Sequence, residues 1–212
     1  MVKVGIIDYG AGNLRSVANA IQSLGIEPVI LAGPFDAEGF THLILPGVGA
    51  FGDSMAELTR RGLAGPIRSW IAADRPFFGI CVGYQLLFEQ GEESPGVEGL
   101  GIFGGSVVRF PEDGRKIPHM GWNAAIPADR ADPLWNGLGA EPYFYYVHSY
   151  FPCPVDPDLV AMTTEYEGTR FAAAIRRGRL VATQFHPEKS QNAGIRLLAN
   201  FLGVPVPQAD CE

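Results

Sequence analysis

Cys81, at the start of a predicted helix, is the residue whose surroundings best suit a nucleophile. It lies in Gly79-Ile80-Cys81-Val82-Gly83, directly after the apolar run Pro76–Ile80. A nucleophile flanked in this way by glycines, between a strand and a helix, sits on a tight turn that exposes it. The helix dipole would favour the reactive thiolate, and the N–H of Val82 would face a developing oxyanion. An inert cysteine buried at a strand–helix turn is the alternative.

A nucleophilic thiol needs a base and a group that orients the base, and His186-Pro187-Glu188 offers both. Residues two apart in an extended chain face the same side, and Pro187 restricts His186 to an extended conformation. Glu188 is therefore predicted to accept a hydrogen bond from one imidazole nitrogen while the other nitrogen faces Cys81. A histidine that ends a strand beside a solvated glutamate is the alternative.

A second glycine-rich turn, Pro46-Gly47-Val48-Gly49, follows the apolar run Thr41–Leu45. Its backbone amides are candidates for the second donor of an oxyanion hole. Simple turn chemistry and a phosphate-binding loop are the alternatives. The turn lacks the Lys-Ser/Thr ending of a P-loop, and Ile6–Gly12 lacks a complete G-x-G-x-x-G, so nucleotide binding has weak support.

The elements that must position these residues alternate between strands and helices in the first part of the chain. Strands are predicted over Val2–Ile7, Glu27–Leu31, Thr41–Leu45 and Pro76–Ile80. Helices are predicted from Leu14 to Leu24 with Asn13 as the cap, between Ala50 and Arg75, and from Val82 to Phe88. This alternation indicates a parallel sheet that helices cover on both faces.

The second half of the chain has a different pattern. Short apolar runs from Gly99 to Val181 are separated by Pro, Gly and Asp clusters, which favours antiparallel additions to the sheet. A last helix is predicted from Ser190, its cap, to Leu202, with Gly203 ending it. We therefore predict a single α/β domain over residues 1–203, with a mostly parallel mixed sheet, and a loose tail at 204–212.

Composition and charge exclude several classes of protein. The 212 residues are 47% hydrophobic and 18% charged, which suits a globular domain rather than a disordered chain. A net charge of −7 argues against nucleic acid or an anionic membrane as a partner. No apolar run could span a bilayer and no secretory leader is expected. Three scattered cysteines, Cys81, Cys153 and Cys211, favour a cytoplasmic protein with free thiols over disulfides or a metal site.

Three segments together resemble the class I glutamine amidotransferases: Pro46–Gly49, Gly79–Gln85 and Gln184–Glu188. A narrower resemblance, running from about residue 4 to 202, is to the glutaminase subunits of imidazole glycerol phosphate synthases. It is carried by Tyr9–Leu14, Ile117–Asn123, Tyr146–Tyr150 and His186–Ser190. This resemblance implies a flavodoxin-like α/β fold.

The resemblance also implies an activity, namely hydrolysis of L-glutamine to glutamate and ammonia without a cofactor. Cys81 would form a γ-glutamyl thioester, His186 would transfer the protons and Glu188 would orient His186. The N–H of Val82 and that of Val48 or Gly49 would form the oxyanion hole.

Further positions match residues that bind glutamine in this family: Gly47, Gln85, Glu93, Ser149 and Tyr150. Plainer interpretations are a polar residue on a helix for Gln85, a solvated carboxylate beside Glu92 for Glu93, and strand-end packing for the last two.

A partner is implied as well. In the resembled synthases the glutaminase pairs with a (βα)₈-barrel cyclase subunit, which uses the ammonia to make imidazole glycerol phosphate and aminoimidazole carboxamide ribotide in histidine biosynthesis. Asn13, Trp122, Tyr146 and Lys189 match positions that face this subunit or the route of the ammonia. The competing interpretations are a glutaminase of another synthase, a non-catalytic module of the same fold and a cysteine protease.

Overall fold

A computed structural model describes residues 1–207 of the chain, so the predicted tail lies partly, and Cys211 wholly, outside the described residues. The α-helices of this range are α1 (Leu14–Gln22), α2 (Phe51–Arg60), α3 (Ala64–Ala72), α4 (Val82–Gln85) and α5 (Gln191–Leu202). The strands are β1 (Val4–Ile7), β2 (Val29–Leu31), β3 (His42–Gly47), β4 (Phe77–Cys81), β5 (Phe88–Gly91), β6 (Phe103–Arg109), β7 (His119–Ala124), β8 (Ile126–Pro127), β9 (Tyr143–His148), β10 (Tyr150–Pro154), β11 (Val160–Tyr166), β12 (Thr169–Arg177) and β13 (Leu180–Thr183).

An eight-stranded mixed sheet forms the centre of the fold, in the order β2-β1-β3-β4-β13-β12-β11-β8. The strands from β2 to β13 in this order are parallel, and β12, β11 and β8 are antiparallel additions. Helices flank the sheet, as the α/β prediction requires. The predicted fold class is therefore confirmed.

Burial explains why the central strands read as continuous apolar runs. Every residue of β1, β4 and β13 is buried, because helices or loops cover both faces of a parallel sheet at its centre. The carboxyl ends of β3, β4 and β13 lie side by side, since these strands are parallel neighbours. Loops leaving these three strands therefore meet at one edge of the sheet.

Two smaller sheets lie outside the central one, and here the prediction of simple additions to the sheet was incomplete. Strands β10, β6 and β5 form a three-stranded sheet, and β7 pairs with β9 in an antiparallel ribbon. Of the described strands in the second half, β8, β11, β12 and β13 join the main sheet.

The predicted helix from Val82 to Phe88 was wrong in its length. Helix α4 ends at Gln85, and Phe88 instead begins β5, which pairs with β6. Because this segment is mostly apolar and is buried as far as Phe88, no periodicity in the sequence marks where the helix stops.

Asn13 and Ser190 occupy the predicted cap positions of α1 and α5, but neither side chain makes the capping hydrogen bond. The Asn13 side chain makes no capping bond to α1, and its Oδ1 accepts a hydrogen bond from Ser16 Oγ. Ser190 makes no capping bond to α5, because its Oγ donates to the His186 carbonyl and accepts from the Tyr145 N–H. Gly203 does end α5, in the left-handed conformation that glycine adopts readily. Among the helices of residues 1–207, none has the length and apolar character required to cross a membrane.

Candidate active site

Cys81 occupies a strained turn between β4 and α4. Its φ of 54° lies in the left-handed region, which a residue with a side chain rarely adopts. Neighbouring glycines make the turn possible: a Cβ on Gly83 would lie 2.0 Å from the Leu45 carbonyl oxygen, and one on Gly47 would lie 2.5 Å from the Gly83 nitrogen. Gly47 and Gly83 are thus required by close backbone approach, and Cys81 lines a cavity at the sheet edge.

His186 and Glu188 form a buried pair just beyond β13, the strand next to β4. His186 Nδ1 lies 2.8 Å from Glu188 Oε1, and both side chains are almost fully buried. The His186 N–H also donates to the Tyr145 carbonyl, which fixes the backbone at this point. Because the carboxylate accepts from Nδ1–H, the neutral imidazole keeps Nε2 as an acceptor, which is the tautomer a base needs.

The charges around His186 favour the protonated form of its ring. Burial alone lowers the pKa of His186, but the charge of a Cys81 thiolate and the bond to Glu188 outweigh burial, so the pKa is raised above its ordinary value. Its Nε2 is buried and makes no hydrogen bond to a described residue. This nitrogen is therefore free to receive a proton from a neighbouring group.

A cavity of about 510 Å³ brings the predicted site residues together, within the size range of small-molecule sites. Cys81 and His186 line it, as do the predicted residues Val48, Gly49, Val82, Gln85, Glu93, Ser149 and Tyr150. Gly47 does not line the cavity, but it pairs with Cys81 in the register of β3 and β4. Ala50, Pro118, Val147 and His148 line the cavity without having been predicted.

The candidate oxyanion donors come from two loops at this sheet edge. Val82 is the first residue of α4, where backbone N–H groups have no partner within the helix. Val48 and Gly49 follow β3, and Gly49 has a φ of +95°. Because β3 and β4 are adjacent and parallel, the two loops approach the same cavity.

The structure separates Glu93 from its neighbour Glu92. Glu93 lines the cavity, and its Oε2 accepts from the Phe51 N–H at the start of α2, at 2.8 Å. Glu92 accepts from the Arg109 N–H instead, at 2.8 Å. Glu93 is therefore the carboxylate of this pair that a ligand in the cavity would meet.

Gln85 is buried in the cavity wall, and its amide nitrogen already has two acceptors. Nε2 donates to the Tyr150 carbonyl oxygen at 3.0 Å and to Gln184 Oε1 at 3.2 Å. With both N–H groups used, Oε1 is the part of this side chain left for a ligand. Gln184 lies directly before the apolar residue that precedes His186, and no local pattern predicts a role for its side chain.

A second pair of buried imidazoles lies beside the cavity. His119 Nδ1 is 3.0 Å from His148 Nε2, and His148 Nδ1 is 2.8 Å from the Tyr150 carbonyl oxygen. Burial lowers the pKa of His148 to about 3 and that of His119 to about 4. Both rings are therefore neutral at physiological pH.

Of the residues predicted to face a partner, Trp122 and Lys189 are exposed and Asn13 is half-buried. The prediction that Tyr146 lies at an exposed interface is corrected, because its side chain is fully buried and its hydroxyl bonds to Thr164 Oγ1, while a place along the route of the ammonia stays a prediction. Residues alternate between the two faces of β9, so its neighbour Tyr145 occupies the outer face. Tyr145 contacts Trp122 edge-on, and Lys189 Nζ lies 5.9 Å from the centre of its ring.

Comparison with known proteins adds to this geometry. The family model described as glutamine amidotransferase class-I matches residues 5–204. A relative from Rhodopirellula baltica, named imidazole glycerol phosphate synthase subunit HisH, is 51% identical over 96% of this chain and 98% of its own. One of the same name from Methylococcus capsulatus is 48% identical over 95% and 96%. A solved structure of PurLQS from Thermotoga maritima, 19% identical, superposes with a TM-score of 0.74 over 95% of this chain and 98% of its own, which shows likeness of fold alone.

Proposed function

The chain belongs to the class I glutamine amidotransferases, and from this premise we propose that it is the glutaminase subunit of an imidazole glycerol phosphate synthase. The proposal rests on one geometric observation: Cys81 and His186, whose ring is bonded to buried Glu188, line one cavity from the ends of neighbouring strands. The curated relatives named as subunits of that synthase support the choice of synthase.

The reaction begins with the transfer of the Cys81 thiol proton to His186 Nε2. The resulting thiolate attacks the side-chain amide carbon of glutamine, forming a carbon–sulfur bond and moving an electron pair onto the amide oxygen. The N–H of Val82 and that of Val48 or Gly49 stabilise this oxyanion. His186 then gives its proton to the departing nitrogen, and ammonia leaves a γ-glutamyl thioester on Cys81.

Water completes the cycle. His186, neutral again, accepts a proton from a water molecule as its oxygen attacks the thioester carbon. The carbon–sulfur bond breaks, glutamate is released and the sulfur recovers its proton from His186. Glu188 keeps Nδ1 protonated throughout, so Nε2 is always the nitrogen that exchanges protons.

Specific recognition of glutamine is assigned to polar groups that line the same cavity. Glu93 supplies a carboxylate for the α-ammonium group, while Gln85 Oε1 and the backbone of Ser149 and Tyr150 supply further polar contacts. A carboxylate in the cavity can pair with an α-ammonium group, so it favours an amino acid over a simple amide.

The ammonia passes to a cyclase subunit, in the way that the names of the relatives as synthase subunits imply. We place the contact with that subunit on the outer face of the β7–β9 ribbon, where Trp122, Tyr145 and Lys189 cluster beside the site. Aromatic residues with a cationic neighbour are typical anchors of protein interfaces.

The test measures glutamate release by the purified chain alone, with the cyclase subunit, and with the cyclase subunit and its nucleotide substrate. We expect the full system to release glutamate and to form imidazole glycerol phosphate. Glutamate release with no dependence on this cyclase would point to a different synthase. A chain inactive under all three conditions, whose Cys81 also fails to react with a glutamine-analogue diazoketone, would be a non-catalytic module.

A further inference from the structure

Gln184 directs its side-chain amide at the nucleophilic sulfur. It follows β13 directly, it is fully buried, and its backbone N–H donates to the Ala173 carbonyl oxygen at 2.8 Å. Its Nε2 lies 3.6 Å from Cys81 Sγ, within hydrogen-bonding distance of a sulfur acceptor. The residue is therefore fixed at both its backbone and its side chain.

The neighbours of Gln184 determine which end of its amide faces the sulfur. A carbonyl oxygen can only accept, so the contact with Tyr150 O requires the NH₂ group of Gln85 to point there. The same NH₂ group contacts Gln184, which must therefore present its Oε1 to Gln85. The NH₂ group of Gln184 is left facing Cys81, so the sulfur receives a donor rather than an oxygen.

A second donor reinforces this orientation. His148 Nδ1 also contacts the Tyr150 carbonyl oxygen, and a neutral imidazole must carry its proton on that nitrogen to make the bond. The carbonyl thus accepts from both Gln85 and His148. Reversal of the Gln85 amide would remove the first bond, and a change of the histidine tautomer would remove the second. From Gln85 to the sulfur the bonds run in one direction, because Gln85 donates to Gln184 and Gln184 donates to Cys81.

A donor at this position acts differently on the two forms of the thiol. Sulfur in a neutral thiol is a weak acceptor, whereas a thiolate accepts strongly because the bond is charge-assisted. A bond that stabilises the charged form more than the neutral form increases the fraction of thiolate. Buried charge is costly without such partners, and Cys81 is 4% exposed.

We propose that Gln184 donates the hydrogen bond that stabilises the Cys81 thiolate, and that Gln85 is the positioning residue that orients it. The proposal rests on the proposed role of Cys81 as nucleophile. It gives Gln85 a second task besides contact with substrate.

Other groups around the sulfur must be considered with Gln184. His186 lies beside the thiol, Glu93 and His148 line the same cavity, and the Tyr9 side chain approaches from the end of β1. A protonated His186 favours the thiolate, a charged Glu93 opposes it, and a neutral His148 carries no charge. None of these groups is altered by a substitution at Gln184, so its contribution can be isolated.

The test is Gln184→Met, which keeps an unbranched side chain but removes the donor. Carboxamidomethylation of Cys81 by iodoacetamide is followed across pH, with the Cys81 peptide quantified by mass spectrometry because Cys153 is exposed and also reacts. We expect the rate at pH 7 to fall about 10- to 100-fold and the midpoint of the profile to move to higher pH, as for loss of a hydrogen bond to a charged group.

Thr183→Val is the matched control. It removes a buried donor from the preceding residue, where Thr183 Oγ1 bonds to the Phe185 carbonyl and not to the sulfur. It should leave the midpoint of the Cys81 profile unchanged. Equal shifts in Gln184→Met and Thr183→Val would overturn the proposal, because the effect would then be general to this strand end.

Gln85→Met provides an independent variant if Gln184→Met does not fold. Without Gln85 the Gln184 amide can rotate, so the midpoint should move in the same direction by a smaller amount. An unchanged midpoint in a folded variant at either position would contradict the proposal. Alkylation of Cys81 requires no glutamine, so failure of this proposal can be told apart from failure of the proposed function. Failure of the proposed function would appear as a reactive Cys81 with no glutamate released.

Discussion

Two imidazoles line the same cavity, yet the protein gives them opposite properties. His186 and His148 are both buried, but Nδ1 of His186 bonds to a carboxylate and Nδ1 of His148 bonds to a carbonyl oxygen. The pKa of His186 is raised by its charged neighbours, whereas burial lowers that of His148 to about 3. Burial alone therefore makes a poor base, and a negative partner is what allows a buried histidine to carry a proton.

Hydrogen-bond directions keep the second imidazole out of proton transfer. His148 donates from Nδ1, so its Nε2 must accept from His119 Nδ1, and His119 Nε2 in turn faces Asn123 Nδ2. Every ring nitrogen of this pair is occupied. His186 Nε2, by contrast, makes no hydrogen bond to a described residue.

The largest effect on activity is expected from substitution of Cys81, because its thiol is the group that reacts with glutamine. Cys81→Ala should abolish glutamine-dependent turnover, because no thioester can form. In the complex with the cyclase subunit, added ammonium salts should still support synthesis. Loss of the ammonium-dependent activity as well would show that Cys81 maintains the structure rather than performing the chemistry.

The next effect separates the two histidines directly. His186→Asn should lower the rate of glutamate release by about 10³- to 10⁴-fold, as for removal of a triad base. His148→Gln, which keeps a donor and an acceptor, should lower it less than about 10-fold. Steady-state assays of glutamate release by both variants in the complex test this difference. Equal losses of rate would show that the two rings contribute equally to the reaction.

The β7–β9 ribbon has His119 and His148 on its inner face and Trp122 on its outer face. A substitution on the outer face tests the interface and leaves the catalytic residues unchanged. Trp122→Ala should weaken binding to the cyclase subunit about 10- to 100-fold, because a half-exposed aromatic anchor is lost. Titration of the two subunits by calorimetry measures this. Val29→Ala, exposed on the far edge strand β2, is the control and should bind as the wild type does. Equal binding by both variants would move the interface elsewhere.

The smallest effect is on stability, and its pH dependence has opposite signs at the two sites. The unfolded chain protonates its histidines below a pH of about 6.5, whereas the folded chain keeps His148 and His119 neutral down to about 3 and 4. The stability that these rings contribute is therefore complete above pH 6.5 and is lost as the pH falls. His186 contributes below its ordinary pKa and loses its contribution as the pH rises.

Urea unfolding at pH 7 and pH 5 measures the stability that is lost as the pH falls. The wild type should lose roughly 1–2 kcal/mol of unfolding free energy for each ring that burial keeps neutral, and burial lowers the pKa of His42 to about 4 as well. His148→Gln should lose correspondingly less between the two pH values, whatever its stability at pH 7. A variant with the same loss as the wild type would show that His148 titrates normally.

Features that local residues determine could be predicted from the sequence, whereas features that depend on contacts between distant segments could not. The glycines around Cys81 and the sequence His186-Pro187-Glu188 are local patterns, and the sequence alone was enough to predict the strand–turn–helix and the contact between His186 and Glu188. The expected extended chain was wrong beyond His186, because Pro187–Lys189 form a 3₁₀ turn that brings Glu188 back to the ring. The division between β5 and α4 depends on pairing with β6, which the apolar segment does not reveal.

Tyr146 and Gln184 show the same limit for side chains. Which of two adjacent tyrosines faces outward follows from the register of β9 on β7, and one residue of shift exchanges the two faces. The role of Gln184 depends on contacts with Gln85 and Cys81, far away in the chain. Ser190 suits a helix cap by type, but a nearby carbonyl competes for its hydroxyl.

The adjacency of β4 and β13 has a consequence for how the chain acquires activity. The nucleophile follows one strand and its base follows the other, and these strands pair in the sheet although much of the sequence separates them. Contacts between such distant segments form late in folding, since a long stretch of chain must be ordered to bring them together. During synthesis the thiol leaves the ribosome well before the imidazole does, so a growing chain cannot break down the amino acid it would later consume. Catalytic competence therefore arrives with the completed sheet.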